Sequence, residues 1–348
     1  MKAESDRSAT VDLALGQRGS EADAFERWLA EACRLRGLSY RRIDGDIVPG
    51  ALDAICRGRL RVRMLLDLTA CWGRDDDPYV RLCHVVKDSG GAVIDDPDTA
   101  AVADHKVITH HALERAGLPV PPTVMFRRWA DDRELTEDER RRLGERVVIK
   151  PARGWGGKGV VLAAGPDRRM LSGARDYDRS DDFLVQRHVP HARLRDDAGV
   201  DRAAWWRVYH LFGEIIPCWW GPDDGRYRHV SLRELWMHGL LPLVRLTAEI
   251  ARITRMDFFS TEICLADEPA DTASPFRIGD RRLYVIDYVN DQCDLKVRSR
   301  HPSSPPDHLV RHLADRFAEL AWRHRHGLPL DGHRSLWLRR APGHDRTV

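Results

Sequence analysis

In "EADAFERWLAEACRLRG", residues 21–37, Phe25, Leu29, Ala32 and Leu35 recur at helical spacing, and Gly37 follows as a stop signal. Around this amphipathic helix lie the short apolar runs "ATVDLALG", "LSYRRID", "RVRMLLDL" and "GAVIDD", each the length of a strand. A further short helix is predicted near "YVRLCHVVKDSG", after the loop "CWGRDDDP". Strands alternating with helices predict βαβ units on a parallel sheet over the first hundred residues. A helix from Thr99 to Ala116 follows, ended by Gly117 and the prolines of "LPVPPT".

From there the texture changes. "TVMF", "RVVIK", "VVLA" and "FLVQRHV" read as short strands, interrupted by a polar-faced helix over "DDRELTEDERRRLGE". "AWWRVYHLFGEIIPCWW" predicts two strands turning at Gly213, and "FFSTEICLA" and "RLYVIDYVND" the last clear strands. In "DHLVRHLADRFAELAWRHR" a terminal helix carries Leu309, Leu313, Phe317, Leu320 and Ala321 on one stripe. Residues after Gly327 read as peripheral.

Composition narrows the function. The 348 residues hold 56 basic and 54 acidic side chains, a balance that argues against a dedicated nucleic-acid or membrane-surface binder. "MKAESDRSATVDLALG" lacks the apolar core of a signal peptide, and no apolar run approaches about 18 residues, so a soluble cytoplasmic protein is expected. Seven scattered cysteines without a C-x-x-C pair indicate neither a disulfide framework nor a zinc site.

"VVIKPARGWGGKGVVLA", residues 147–163, carries the candidate chemistry. Gly154, Gly156 and Gly159 match G-x-G-x-x-G, yet a dinucleotide turn needs a helix directly afterwards. A β-branched run ended by Gly-Pro follows instead, so the glycines form the tip of a hairpin. A P-loop fails too, because Lys158 is followed by Gly159 rather than by Ser or Thr. What remains is a glycine flap whose backbone N–H groups can face phosphate oxygens, with Lys150 at the end of the entering strand. An exposed hairpin without a ligand is the bland alternative.

Four further features stand around the flap. "DHKVITHHALERAGLPVPPTVMF" precedes it, and "DFLVQRHVPH" follows. "AWWRVYHLFGE" places Arg207 in a strand. The pair "FFSTEICLA" and "RLYVIDYVND" carries Glu262 mid-strand and Asp287, Asn290 and Asp291 at a strand end. In this order they resemble the ATP-grasp superfamily over roughly residues 60–325, a group that includes D-alanine–D-alanine ligase, glutathione synthetase, biotin carboxylase and inositol polyphosphate kinases.

The resemblance implies an ATP-grasp fold of α/β and α+β parts. Residues 1–98 would form the N-terminal parallel-sheet domain and 99–190 the central lid subdomain. Residues 191–327 would form the C-terminal subdomain with the metal site, and 328–348 a tail. It implies Lys106 and Lys150 as phosphate-contacting lysines, and Gly154, Trp155, Gly156, Gly157 and Gly159 as the flap. Val185, Gln186, Arg187 and Val189 would contribute the adenine hinge. Arg207 would contact the transferred phosphoryl group or the acyl phosphate, and Glu262, Asp287 and Asn290 would be the magnesium ligands. Lys296 and Arg298, in "DLKVRSRHPSSPP", would anchor an acceptor. The implied cofactors are ATP and Mg²⁺, with Mn²⁺ as an alternative.

Two departures from the family pattern stand out. Asp287 and Asn290 are separated by two residues, so regular pleating sends them to opposite faces. Either a bulge realigns Asn290, or Asp291 takes its place. Trp155 sits in the flap where small residues are common, either to stack on a substrate or to pin the closed flap.

The activity expected is that of a carboxylate–amine ligase forming ADP through an acyl phosphate, acting on small-molecule or peptide substrates. A kinase on the same fold, acting on a polyol or inositol-like hydroxyl, is the alternative. A nucleotide-binding regulator without turnover is the third. No nucleic-acid or membrane partner is expected, and the family's habit implies a homodimer.

Overall fold

The computed structural model describes residues 8–18, 23–74, 76–128, 133–154, 156–165, 167–270 and 274–330. Four parallel strands open the chain in the order Tyr40–Ile43, Leu13–Gly16, Met64–Asp67 and Ala92–Ile94. Helices Ala24–Leu35, Val48–Cys56 and Pro78–Asp88 make the crossovers, as parallel neighbours require. Mixed α/β architecture with a parallel N-terminal sheet is therefore the observed class.

An antiparallel four-stranded sheet follows, ordered Thr123–Phe126, Phe183–Arg187, Arg146–Pro151 and Val161–Ala164. Its last two strands are the hairpin carrying the glycines, paired from Arg146–Ala164 to Ile149–Val161. A six-stranded antiparallel sheet completes the framework, ordered Tyr227–His229, Glu214–Trp220, Trp205–Leu211, Phe258–Pro269, Arg281–Asn290 and Arg277–Ile278.

Helix Asp307–Arg325 ties the ends of the chain together. Phe317 is fully buried and meets Phe25 of the first helix edge-on at 6.0 Å and Phe258 of the last sheet at 4.9 Å. Edge-to-face packing suits the ring quadrupoles and adds to simple burial.

Several elements differ from the pattern in the sequence. "ATVDLALG" is two strands, Ala9–Val11 and Leu13–Gly16, which pair with different neighbours. The break is Asp12, whose buried carboxylate accepts from Ser39 N at 2.9 Å and Ser39 Oγ at 2.8 Å. Leu35 is 69% exposed, and Cys33 and Leu38 take core positions at that end of the helix. Helices Val48–Cys56, Arg168–Ala174, Leu232–Met237 and Leu241–Thr254 had no counterpart in the sequence reading. Pro49 and Gly50 in the first of these, and Pro242 in the last, interrupt their apolar spacing.

One correction matters for the site. The helix expected from Thr99 to Ala116 is two helices, Pro97–Ala103 and Lys106–Arg115. Between them His105 is extended, and its ring caps the second helix by accepting from Ile108 N. Thr109 Oγ1 donates to Ala103 O at 2.8 Å, fixing the corner. The break moves Lys106 from a helix interior to a helix N-terminus, where its own N–H donates to Ala152 O at 2.9 Å.

Replacing Phe317 with alanine removes the ring that joins the first helix to the last sheet. A stability loss of about 3–5 kcal/mol is expected, read as a lower denaturant midpoint. A loss below about 1 kcal/mol would show that the junction repacks around the void.

Candidate active site

One face of the six-stranded sheet gathers the charged residues. The pleat places Trp205 and Arg207 on the same side of their strand, while Trp206 and Val208 turn into the core. Arg207 pairs across the ladder with Glu262, and Glu262 with Asp287. An extra residue on the Asp287 strand then shifts the register, since Ser260 faces Asn290 while Glu262 faces Asp287. Thr261 alone thus opposes two residues, Tyr288 and Val289, which is a bulge. Asp287, Asn290 and Asp291 all line one cavity of ≈ 1100 Å³.

Opposite this row lie the lysines. Lys150 Nζ is buried, donates to Ile286 O at 2.8 Å, and lies 5.3 Å from the centre of the Tyr288 ring. Burial pushes its pKa down from 10.5 to about 8, against the pull of Asp287. Lys106 Nζ donates to Gly154 O at 3.1 Å and lies 4.0 Å from Asp287 Oδ1. Its position at a helix N-terminus adds a partial positive charge to that of the ammonium.

The glycine hairpin overhangs these groups. Gly154, Gly156, Gly157 and Lys158 line the cavity, and Gly156 and Gly157 have φ of 61° and 72° with open space around them. Gly159 lies just behind, where a Cβ would come within 2.6 Å of the Tyr177 ring. Trp155 lies outside the described residues.

Arg207 is not free. Its Nη2 forms an ion pair with Glu262 Oε1, and its Nη1 donates to Tyr227 Oη at 2.7 Å. Burial opposes its charge, but Glu262 together with Tyr227 and Tyr209 outweighs that and holds the guanidinium protonated.

Two acids crowd the open end. Burial first, and Asp291 second, raise the Asp104 pKa to about 7. Asp291 is raised as well, by burial, although Trp72 Nε1 donates to its Oδ2 at 2.6 Å. Gln292 Nε2 donates to Ala70 O at 2.6 Å, so the N-terminal loop 70–74 is fastened beside the strand end. Trp72 and that loop are the part of the site that the sequence reading missed. Nothing in "CWGRDDDP" marks a tryptophan that meets an aspartate 219 positions away.

Other expected residues do not reach the cavity. Val185, Gln186, Arg187 and Val189 are not among its lining. Their strand is central in its sheet, and the Gln186 amide already donates to Thr123 Oγ1 at 3.1 Å and Tyr288 Oη at 2.8 Å. Arg187 is held by Glu268 and Tyr284, and Val189 packs with Cys264 and Tyr284. Lys296 points to solvent, and Arg298 donates to Tyr227 O. Neither lines the cavity.

The donor set suits a hard cation. Asp287 Oδ1 is buried and accepts no hydrogen bond, and with the Lys106 ammonium 4.0 Å away it keeps lone pairs for a closer cation. Among the described residues no three His, Cys, Asp or Glu side chains assemble a cage. Magnesium does not demand one, since it keeps waters and phosphate oxygens beside one or two carboxylates.

Lys150 makes a measurable signature. Its folded-state pKa lies below the ordinary 10.5, so its burial penalty is full below about pH 8 and fades as pH rises toward 10.5. A Lys150→Met variant is therefore expected to gain most over the parent below pH 8, with the difference in Tm shrinking by pH 10. A pH-independent difference would contradict the buried charge.

Solved structures give the comparison. No family sequence model matches the chain, and no curated protein sequence does. The structure of a RimK domain ATP-grasp protein from Sphaerobacter thermophilus aligns at TM-score 0.54 and 17% identity, over 88% of this chain and 98% of that one. D-alanine–D-alanine ligase from Bacillus anthracis aligns at TM-score 0.55 and 12% identity, over 91% of this chain and 100% of its own. The ATP-grasp ligase PsnB, complexed with minimal precursor, Mg and ADP, aligns at 0.53 and 15%, over 90% and 98%. Across nearly the whole chain, the arrangement of helices and sheets is the ATP-grasp fold.

Proposed function

We propose that this protein is an ATP- and Mg²⁺-dependent ligase that activates a carboxylate as an acyl phosphate and joins it to an amine, releasing ADP. The observation that carries the reading is one convergence: Lys106, Lys150 and the donorless Asp287 Oδ1 meet in a single cavity beneath a glycine hairpin. Cations, an orphan carboxylate oxygen and exposed backbone N–H groups complement a metal-bound polyphosphate. That PsnB was solved with Mg and ADP, on the same fold, supports the choice of ligand.

Each residue then has a task. Lys106 and Lys150 would hold phosphate oxygens, and Gly154, Gly156 and Gly157 would let the hairpin backbone approach them. Asp287, with Glu262 and either Asn290 or Asp291, would hold the metal, which supplies charge neutralisation on the phosphates. Arg207, kept charged by Glu262, would stabilise negative charge developing on the transferred group. Residues 99–190 would act as the lid that excludes water, and 191–327 as the floor carrying the metal.

No side chain need become covalently modified, because the substrate carboxylate is itself the nucleophile. Among the described residues no helix is long and apolar enough to cross a membrane, in keeping with substrates drawn from water.

The test is trapping. Wild-type protein with ATP, Mg²⁺, hydroxylamine and a mixed pool of carboxylates is expected to release ADP and form hydroxamates. Lys106→Ala and Lys150→Ala should each lower both signals by at least about 10²-fold without loss of fold. ADP release without hydroxamate would contradict the ligase and favour transfer to a hydroxyl. Tight nucleotide binding with no ADP release would remove the enzyme reading altogether.

A further inference from the structure

Two tryptophan pairs, Trp205-Trp206 and Trp219-Trp220, lie on neighbouring antiparallel strands, with Trp206 opposite Trp219. The pleat splits both pairs. Trp206 and Trp219 are buried with ring centroids 5.1 Å apart, which is core packing. Trp205 and Trp220 stand on the other face, half-buried, with centroids 6.1 Å apart, and both line the cavity. Pro222 extends the same wall, and Trp72 lines the cavity from the N-terminal loop. Packing accounts fully for the inner pair; Trp205 also meets His191 edge-on and Trp220 packs at the margin of a core cluster, yet both keep a face on the cavity.

Their position relative to the charges is specific. Trp205 shares its strand face with Arg207, and the Arg207 guanidinium lies 5.0 Å from the centre of the Trp220 ring. Arg207 pairs across the ladder with Glu262, and Glu262 with Asp287. The aromatic wall therefore begins where the charged row ends. A carboxylate held beside Arg207 leaves its substituent against the indoles. Flat apolar faces there reward burial of a flat apolar group and add offset or edge-on ring contacts.

We propose that Trp205 and Trp220 form a specificity wall for the carboxylate substrate, and that this substrate carries an aromatic ring within a few bonds of its carboxylate. The inference rests on the ligase reading of the same cavity. Chemically, the class is an aryl-substituted acid or an aromatic amino acid.

The experiment is calorimetric titration of the full chain, saturated with AMP-PNP and Mg²⁺, with two matched pairs: phenylacetate against acetate, and L-phenylalanine against L-alanine. In at least one pair the aromatic member should bind at least about tenfold more tightly. Trp205→Ala should erase that preference, Trp205→Phe should retain most of it, and neither should change AMP-PNP affinity. Equal affinity within both pairs, or no binding of any of the four acids, would overturn the inference alone. Loss of AMP-PNP affinity in Trp205→Ala would overturn it as well, by assigning the indoles to the nucleotide. If wild-type protein fails to bind AMP-PNP, the ligase reading falls and takes this inference with it.

Discussion

A buried ammonium needs compensation, and Lys150 has little of it close by. Its ammonium donates to one carbonyl, Ile286 O at 2.8 Å, and lies against the face of Tyr288, and burial drags its pKa to about 8. The rest of the cavity is organised around that imbalance. Asp287 lies close enough to pull the pKa back up, yet its own Oδ1 lacks a donor. Cation and anion are held near each other without closing into a direct pair, which leaves both ready for a ligand carrying both signs of charge. A metal-bound polyphosphate is such a ligand.

Holding charges in that poised state demands a stiff frame. The ladder fixes Arg207, Glu262 and Asp287 in one row, and the bulge after Asp287 turns the strand end so that Asn290 and Asp291 border the same space. The N-terminal sheet contributes through loop 70–74, held by Trp72 on Asp291 and by Gln292 on Ala70 O. Phe317, wedged between Phe25 and Phe258, keeps the first helix and the last sheet together around it. Ordering by packing far from the charges thus sets distances among the charges.

Much of this was legible in the sequence because it is local. The glycine hairpin follows from strand residues on both sides of Gly154–Gly159, and the strands carrying Arg207 and Glu262 follow from the apolar and β-branched residues around them. The ambiguity at Asp287 and Asn290 was legible as a conflict, and only the ladder with the neighbouring strand reveals the bulge. What stayed hidden was non-local. The partner of Trp72 lies 219 residues away, and the corner at His105 depends on Ala152 and on Thr109 folding back to Ala103. The hinge over Val185–Val189 comes from the family resemblance and not from any local signal, and the sequence does not show that the Gln186 amide donates to Thr123 and Tyr288.

The central claim is that the cavity between glycine hairpin and charged sheet face is a metal–nucleotide site. A crystal structure of the protein soaked with AMP-PNP and Mg²⁺ tests it most directly. The account predicts phosphates between Lys106, Lys150 and the backbone of residues 154–157, with a metal ion on Asp287. Nucleotide bound elsewhere on the chain, or a cavity left empty at saturating AMP-PNP, would contradict it.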